Sequence, residues 1–139
     1  MLTEKDYCDY DTCVALKGLG YKVPTSAYYI QNDTTLYFVS NPFRGGYVID
    51  CFYSHNSLRE GVVTSNYIDA PTMWEAQKWL RENRNLHIEV GYNPSLSWYY
   101  YHVWNNQTEI AEGEAFPSYE DALGTAIYMA TEFLKEESK

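Results

Sequence analysis

His87, Glu89 and His102 are the residues whose types and spacing can do chemistry in this chain. Imidazole exchanges a proton near neutral pH, and a carboxylate beside it can orient the ring, so the trio has the parts of an acid–base pair. His87 and Glu89 lie two apart in Leu86–Tyr92, where Leu86, Ile88, Val90 and Tyr92 alternate with His87, Glu89 and Gly91 as in a half-buried strand. His102 sits in Ser97-Trp98-Tyr99-Tyr100-Tyr101-His102-Val103-Trp104-Asn105, a strand-like run with large aromatic groups on both faces. A four-residue hairpin loop at Asn93-Pro94-Ser95-Leu96 would set Tyr92 opposite Ser97, Val90 opposite Tyr99, Glu89 opposite Tyr100 and His87 opposite His102. Ile88, Val90, Tyr99, Tyr101 and Val103 then face the core. His87, Glu89, Trp98, Tyr100, His102 and Trp104 form the other face, mixed polar and aromatic, and are the candidate binding residues. Half-exposed His and Glu on a strand ordinarily meet water, so no catalytic residue is assigned and a small enzyme using His87 and His102 is an alternative.

Other chemistries lack their residues. There is no Gly-rich phosphate loop, nucleophile elbow or paired helical His motif. Cys8, Cys13 and Cys51 could join His55 around zinc, but the Cys8–Cys13 gap is longer than the usual short pair; reduced packing thiols are expected, with no metal and no cofactor. Ten basic against nineteen acidic residues give a net charge of −9, spread along the chain. Without clustered Lys and Arg to displace counterions, direct nucleic-acid binding is not expected. Acidity instead suits contact with a basic protein, including mimicry of nucleic acid by an inhibitor of a host nucleic-acid enzyme, or simply a solvated surface. The first expectation is a non-catalytic accessory module that binds a protein partner or itself through the aromatic face, since aromatic groups concentrate at interface hot spots. No small-molecule ligand is indicated.

The elements that would position these residues follow from caps and periodicity. Asp9 is suited to cap a short helix, Tyr10–Leu19, which Gly20 stops. Ala27–Ile30 and Thr35–Val39 read as a hairpin around Gln31-Asn32-Asp33-Thr34. After a loop at Asn41-Pro42 and Gly45-Gly46, which holds Arg44, Tyr47–Tyr53 resumes as a strand. A turn at Ser54–Ser57 and an edge strand at Val62–Ile68 come next. Thr72 and Glu75 have capping-box spacing for a helix to about Asn83, with Met73, Ala76, Trp79 and Leu80 inward; Trp74, off that stripe, is expected to cover a neighbouring element. A third strand, Thr108–Glu114, has an open register because Ile110 and Ala111 compete for the inward face. Ser118 and Asp121 open the last helix, with Tyr119, Ala122, Leu123, Ala126, Ile127, Ala130, Phe133 and Leu134 as its stripe and Glu120, Asp121, Thr131, Glu132 and Lys135 on the opposite, outer side.

The fold class expected is α+β: an antiparallel sheet of about five or six strands, two main helices on one face and a short N-terminal helix. From residue 72 the order helix, three strands, helix resembles the double-stranded RNA-binding domain in topology. Such modules use a basic start to the last helix, whereas this one begins Ser118-Tyr119-Glu120-Asp121, so the resemblance implies the α-β-β-β-α layer and not RNA contact. Three further sets of residues carry a second resemblance: Tyr7-Cys8-Asp9-Tyr10 with Leu16-Lys17-Gly18-Leu19-Gly20-Tyr21, Ala70-Pro71-Thr72 with Trp79-Leu80-Arg81-Glu82, and Ser118-Tyr119-Glu120-Asp121-Ala122. Together they resemble the landmarks of a large group of small uncharacterised proteins from gut bacteria and their phages and mobile elements. What this implies is context, an accessory protein of phage or mobile-element type. A length of 139 residues suits a single domain, 1–139. With no apolar leader or bilayer-length run, a cytoplasmic location and no membrane contact are the expectation.

Overall fold

The computed structural model describes residues 2–38 and 67–138. The sequence expectations for Arg44 and its loop, the strand 47–53, the turn 54–57, residues 62–66 of the edge strand, and Cys51 and His55 lie outside the described residues. Backbone packing divides the chain into two compact units, residues 7–71 and residues 1–6 with 72–139. The mixed α+β class holds. In place of one sheet of five or six strands, the described residues form two three-stranded antiparallel sheets.

In the first unit, α1 (Tyr10–Gly18) is capped as its sequence dictates, with the Asp9 carboxylate accepting from the Thr12 amide at 2.9 Å. Gly20, at φ +95°, lets the chain leave the helix, and the Tyr21 amide returns to the Leu16 carbonyl at 3.0 Å. β1 (Ala27–Ile30) pairs with β2 (Asp33–Phe38) and, on its other edge, with β3 (Tyr67–Asp69). The hairpin turn is shorter than expected. Ile30 faces Asp33, and left-handed Asn32 at φ +69° reverses the chain in two residues. Asp33 thereby joins the strand, where the Thr35 amide and the Tyr37 hydroxyl donate to its carboxylate at 2.9 and 2.8 Å. The Thr35 amide is the main cause, and the Tyr37 hydroxyl the second, of a lowered Asp33 pKa; the same bond raises that of Tyr37. Cys8 and Cys13 are buried, with the Cys13 thiol donating to the Cys8 carbonyl at 3.5 Å. Burial is the largest cause pushing the Cys13 thiol well above its ordinary pKa, which fits the packing role expected of it.

In the second unit, α2 (Met73–Arg84) opens on a complete capping box. The Thr72 amide donates to the Glu75 carboxylate at 2.8 Å, and the Glu75 amide to the Thr72 hydroxyl at 3.2 Å. Met73, Ala76, Trp79 and Leu80 are buried as their spacing requires. Trp74 departs from expectation: it stands 42% exposed. Left-handed Asn85 (φ +55°) ends the helix and feeds directly into β4 (Leu86–Asn93). β4, β5 (Trp98–Asn105) and β6 (Thr108–Phe116) form the second sheet in sequence order, β5 central. α3 (Tyr119–Glu137), capped by Ser118, packs along all three strands, and α2 packs against β4 and α3. Leu86, Tyr101 and Val103 of the sheet and Leu123, Ile127 and Leu134 of α3 are all buried in the core of this layer. Thr131, expected on the outer side of α3, is buried with its hydroxyl donating to the Tyr128 carbonyl at 2.6 Å. Among the described residues no helix is long and apolar enough to cross a membrane.

Candidate functional site

The β4–β5 register decides which side chains meet. The pairs run from Leu86 opposite Asn105 to Asn93 opposite Trp98, placing His87 opposite Trp104, Glu89 opposite His102 and Gly91 opposite Tyr100. The predicted pairing is therefore displaced by two residues, and His87 does not face His102. The displacement has a local cause. Asn93 stays in the strand and its side-chain oxygen accepts from the Ser95 and Leu96 amides at 3.0 and 3.2 Å, while Ser97 turns the chain at φ +57°. The loop is accordingly Pro94–Ser97. A slip of two residues keeps every side chain on its face, so the predicted division of faces survives.

Two glycines explain how β5 carries large rings on both sides. A Cβ built on Gly91 would overlap the Tyr100 ring, and one on Gly113, directly across from Tyr101, would overlap the Tyr101 ring. Each tyrosine thus lies flat over a residue without a side chain, one in each flanking strand. On the helix side, Tyr101 is 3% exposed, and burial first, then the Glu112 charge, raises its hydroxyl pKa. Tyr99 meets Tyr92 at a tilted angle with ring centroids 4.9 Å apart and meets Tyr119 edge-on at 6.3 Å.

On the opposite face Trp98, Tyr100, His102 and Trp104 are half-buried, while His87 and Glu89 are exposed. Tyr100, His102 and Trp104 form a continuous row, with ring centroids 5.5 and 6.0 Å apart. A groove of about 490 Å³ opens here, lined by Asn93, Trp98, Tyr100, His102, Glu112, Gly113 and Glu114. The two imidazoles have separate partners. His87 shares a hydrogen bond with the Asn85 side chain at 3.0 Å, whereas Nδ1 of His102 contacts a Glu109 carboxylate oxygen and lies 3.9 Å from Glu112. All six residues expected at the site share this sheet face; the acid–base trio does not converge on one point.

Glu109, Glu112 and Glu114 were not anticipated. In a regular strand Glu109 and Glu112, three apart, point to opposite faces. Here Val103 pairs with Ala111 and Trp104 with Glu109, leaving Ile110 as the extra residue of a β-bulge. The bulge settles the competition between Ile110 and Ala111 by placing Ala111 in register and removing Ile110 from it. Both glutamates return to the His102 side, and the three ligand-capable atoms of His102, Glu109 and Glu112 lie within 4.8 Å of one another. A second bulge, with Ala115 at φ +69°, lies beside Tyr100. The sequence signal that could have found the carboxylate side of the groove is the charge of residues 86–116: four glutamates and no Lys or Arg. No family model, curated protein or solved structure matches this chain.

Proposed function

We infer that this chain is a non-catalytic protein-binding module, and that its partner presents a basic segment to the open face of the β4–β5–β6 sheet. The observation that carries this reading is the composition of one groove: the rings of Trp98 and Tyr100 beside Glu112 and Glu114, in a sheet without Lys or Arg. Aromatic faces attract Lys and Arg heads through the ring quadrupole, and nearby carboxylates add Coulomb attraction and specificity. The same charge disfavours stacking this face on its copy in a second chain, because like charges would meet across the interface. A partner captured by the tagged protein should elute with salt and be lost when Trp98 becomes Ala, at a cost of about 2 kcal/mol or more if Trp98 is a central anchor. Binding that ignores both salt and Trp98→Ala places the contact elsewhere.

A second reading, an acidic inhibitor of a nucleic-acid enzyme, is favoured by one specific observation, the unbalanced charge of this sheet, where Glu112 and Glu114 line the groove and residues 86–116 hold four glutamates with no Lys or Arg. It differs in prediction: DNA or RNA would compete with the chain for the captured partner, whereas a basic segment with no nucleic-acid role would leave the complex intact.

A further inference from the structure

We propose that His102, Glu109 and Glu112 form a binding site for one divalent first-row transition ion of the zinc or manganese kind. Three observations converge on it. The donor set is one imidazole nitrogen and two carboxylates, their ligand atoms within 4.8 Å of one another. Donors bonded at about 2.0–2.2 Å to one ion stand roughly 3–4 Å apart, so side-chain torsions alone bring the set together. The backbone is built for the convergence, since without the Ile110 bulge the spacing of Glu109 and Glu112 would send one of them to the helix side.

Charge balance gives the third. Two carboxylates face a single imidazole, and residues 86–116 supply no Lys or Arg to compensate. Even a protonated ring would leave the cluster net negative, whereas a divalent ion with neutral imidazole brings it to zero. The mixed nitrogen and oxygen donors select against Mg²⁺ and Ca²⁺, which take all-oxygen shells. Three protein ligands leave the ion open positions toward the groove, where water completes its shell.

The site stands independently of any protein partner and is tested with metal alone. Titration calorimetry of the full chain with Zn²⁺ and with Mn²⁺ should show one saturable equivalent, and Mg²⁺ at the same concentration should not displace it. Glu109→Gln and Glu112→Gln, isosteric changes at exposed positions, should each weaken binding by on the order of tenfold to a hundredfold, the range seen even for outer-shell partners. Bound Mn²⁺ should broaden the NMR signal of the Trp104 indole, whose ring centroid lies 6.0 Å from that of His102, more strongly than that of the Trp74 indole on α2. Absence of saturable binding, affinity unchanged from the unsubstituted chain in both glutamine variants, displacement by equimolar Mg²⁺, or broadening at Trp74 instead of Trp104 would each overturn the assignment.

Discussion

Gly91 and Gly113 have opposite surroundings although they do the same job. Both seat a tyrosine ring of β5. Tyr101 is sealed beneath α3 and has nowhere to go, so Gly113→Ala forces strain into the core and should cost about 1–3 kcal/mol, as overpacking does. Tyr100 is half-buried beside an open groove, and its ring can swing outward. Gly91→Ala should therefore cost clearly less stability while displacing the ring from the groove. Urea denaturation of the two variants checks the order, and equal losses would mean that Tyr100 is as confined as Tyr101.

At the scale of elements, the Ile110 bulge leads to an outcome that a simple parity count misses. With Ile110 deleted, Glu109 and Ala111 become neighbours that continue the existing pairs with Trp104 and Val103, so both glutamates keep their side of the sheet. The deletion should yield a folded protein in which Glu109 still contacts His102. Cross-strand NMR contacts between Trp104 and Glu109 would show it, and their loss would mean that the strand re-registers. The caps were legible in the sequence because Asp9, Thr72 with Glu75, and Ser118 act within four residues of themselves, and the stripes of α2 and α3 because burial imposes their period. The division of β4 and β5 into two faces was legible too, since alternation survives a slip of two. What the sequence hid depends on backbone conformations with no residue signature: left-handed Ser97, which lengthens β4, and left-handed Ala115 and unpaired Ile110, which bulge β6. The carboxylate half of the candidate site hangs on those bulges, which is why Glu109 and Glu112 escaped notice while His102 did not. Thr131 was misplaced because the buried stripe of α3 is wider than its ideal period, and Trp74 because a large ring does not by itself secure burial at a position off the stripe.

For the whole molecule, a charge of −9 spread over 139 residues and the local excess on one sheet have different consequences. The diffuse charge keeps chains apart. The sheet of β4, β5 and β6, with four glutamates and no Lys or Arg, instead concentrates negative potential around a groove floored by rings. Potential of that kind acts over distances comparable to the Debye length, about 8–10 Å at physiological salt, before any ring is touched. Its effect on affinity therefore comes through the rate of arrival more than through the length of stay. Raising salt should slow the arrival of a basic partner while barely altering how long it stays, whereas Trp98→Ala should shorten the stay and leave arrival nearly unchanged. Stopped-flow association and dissociation rates separate the two, and salt acting mainly on dissociation would contradict the division. The aromatic strand and its acidic neighbours would then divide recognition between them, the carboxylates governing how often a partner is found and the rings how long it is held.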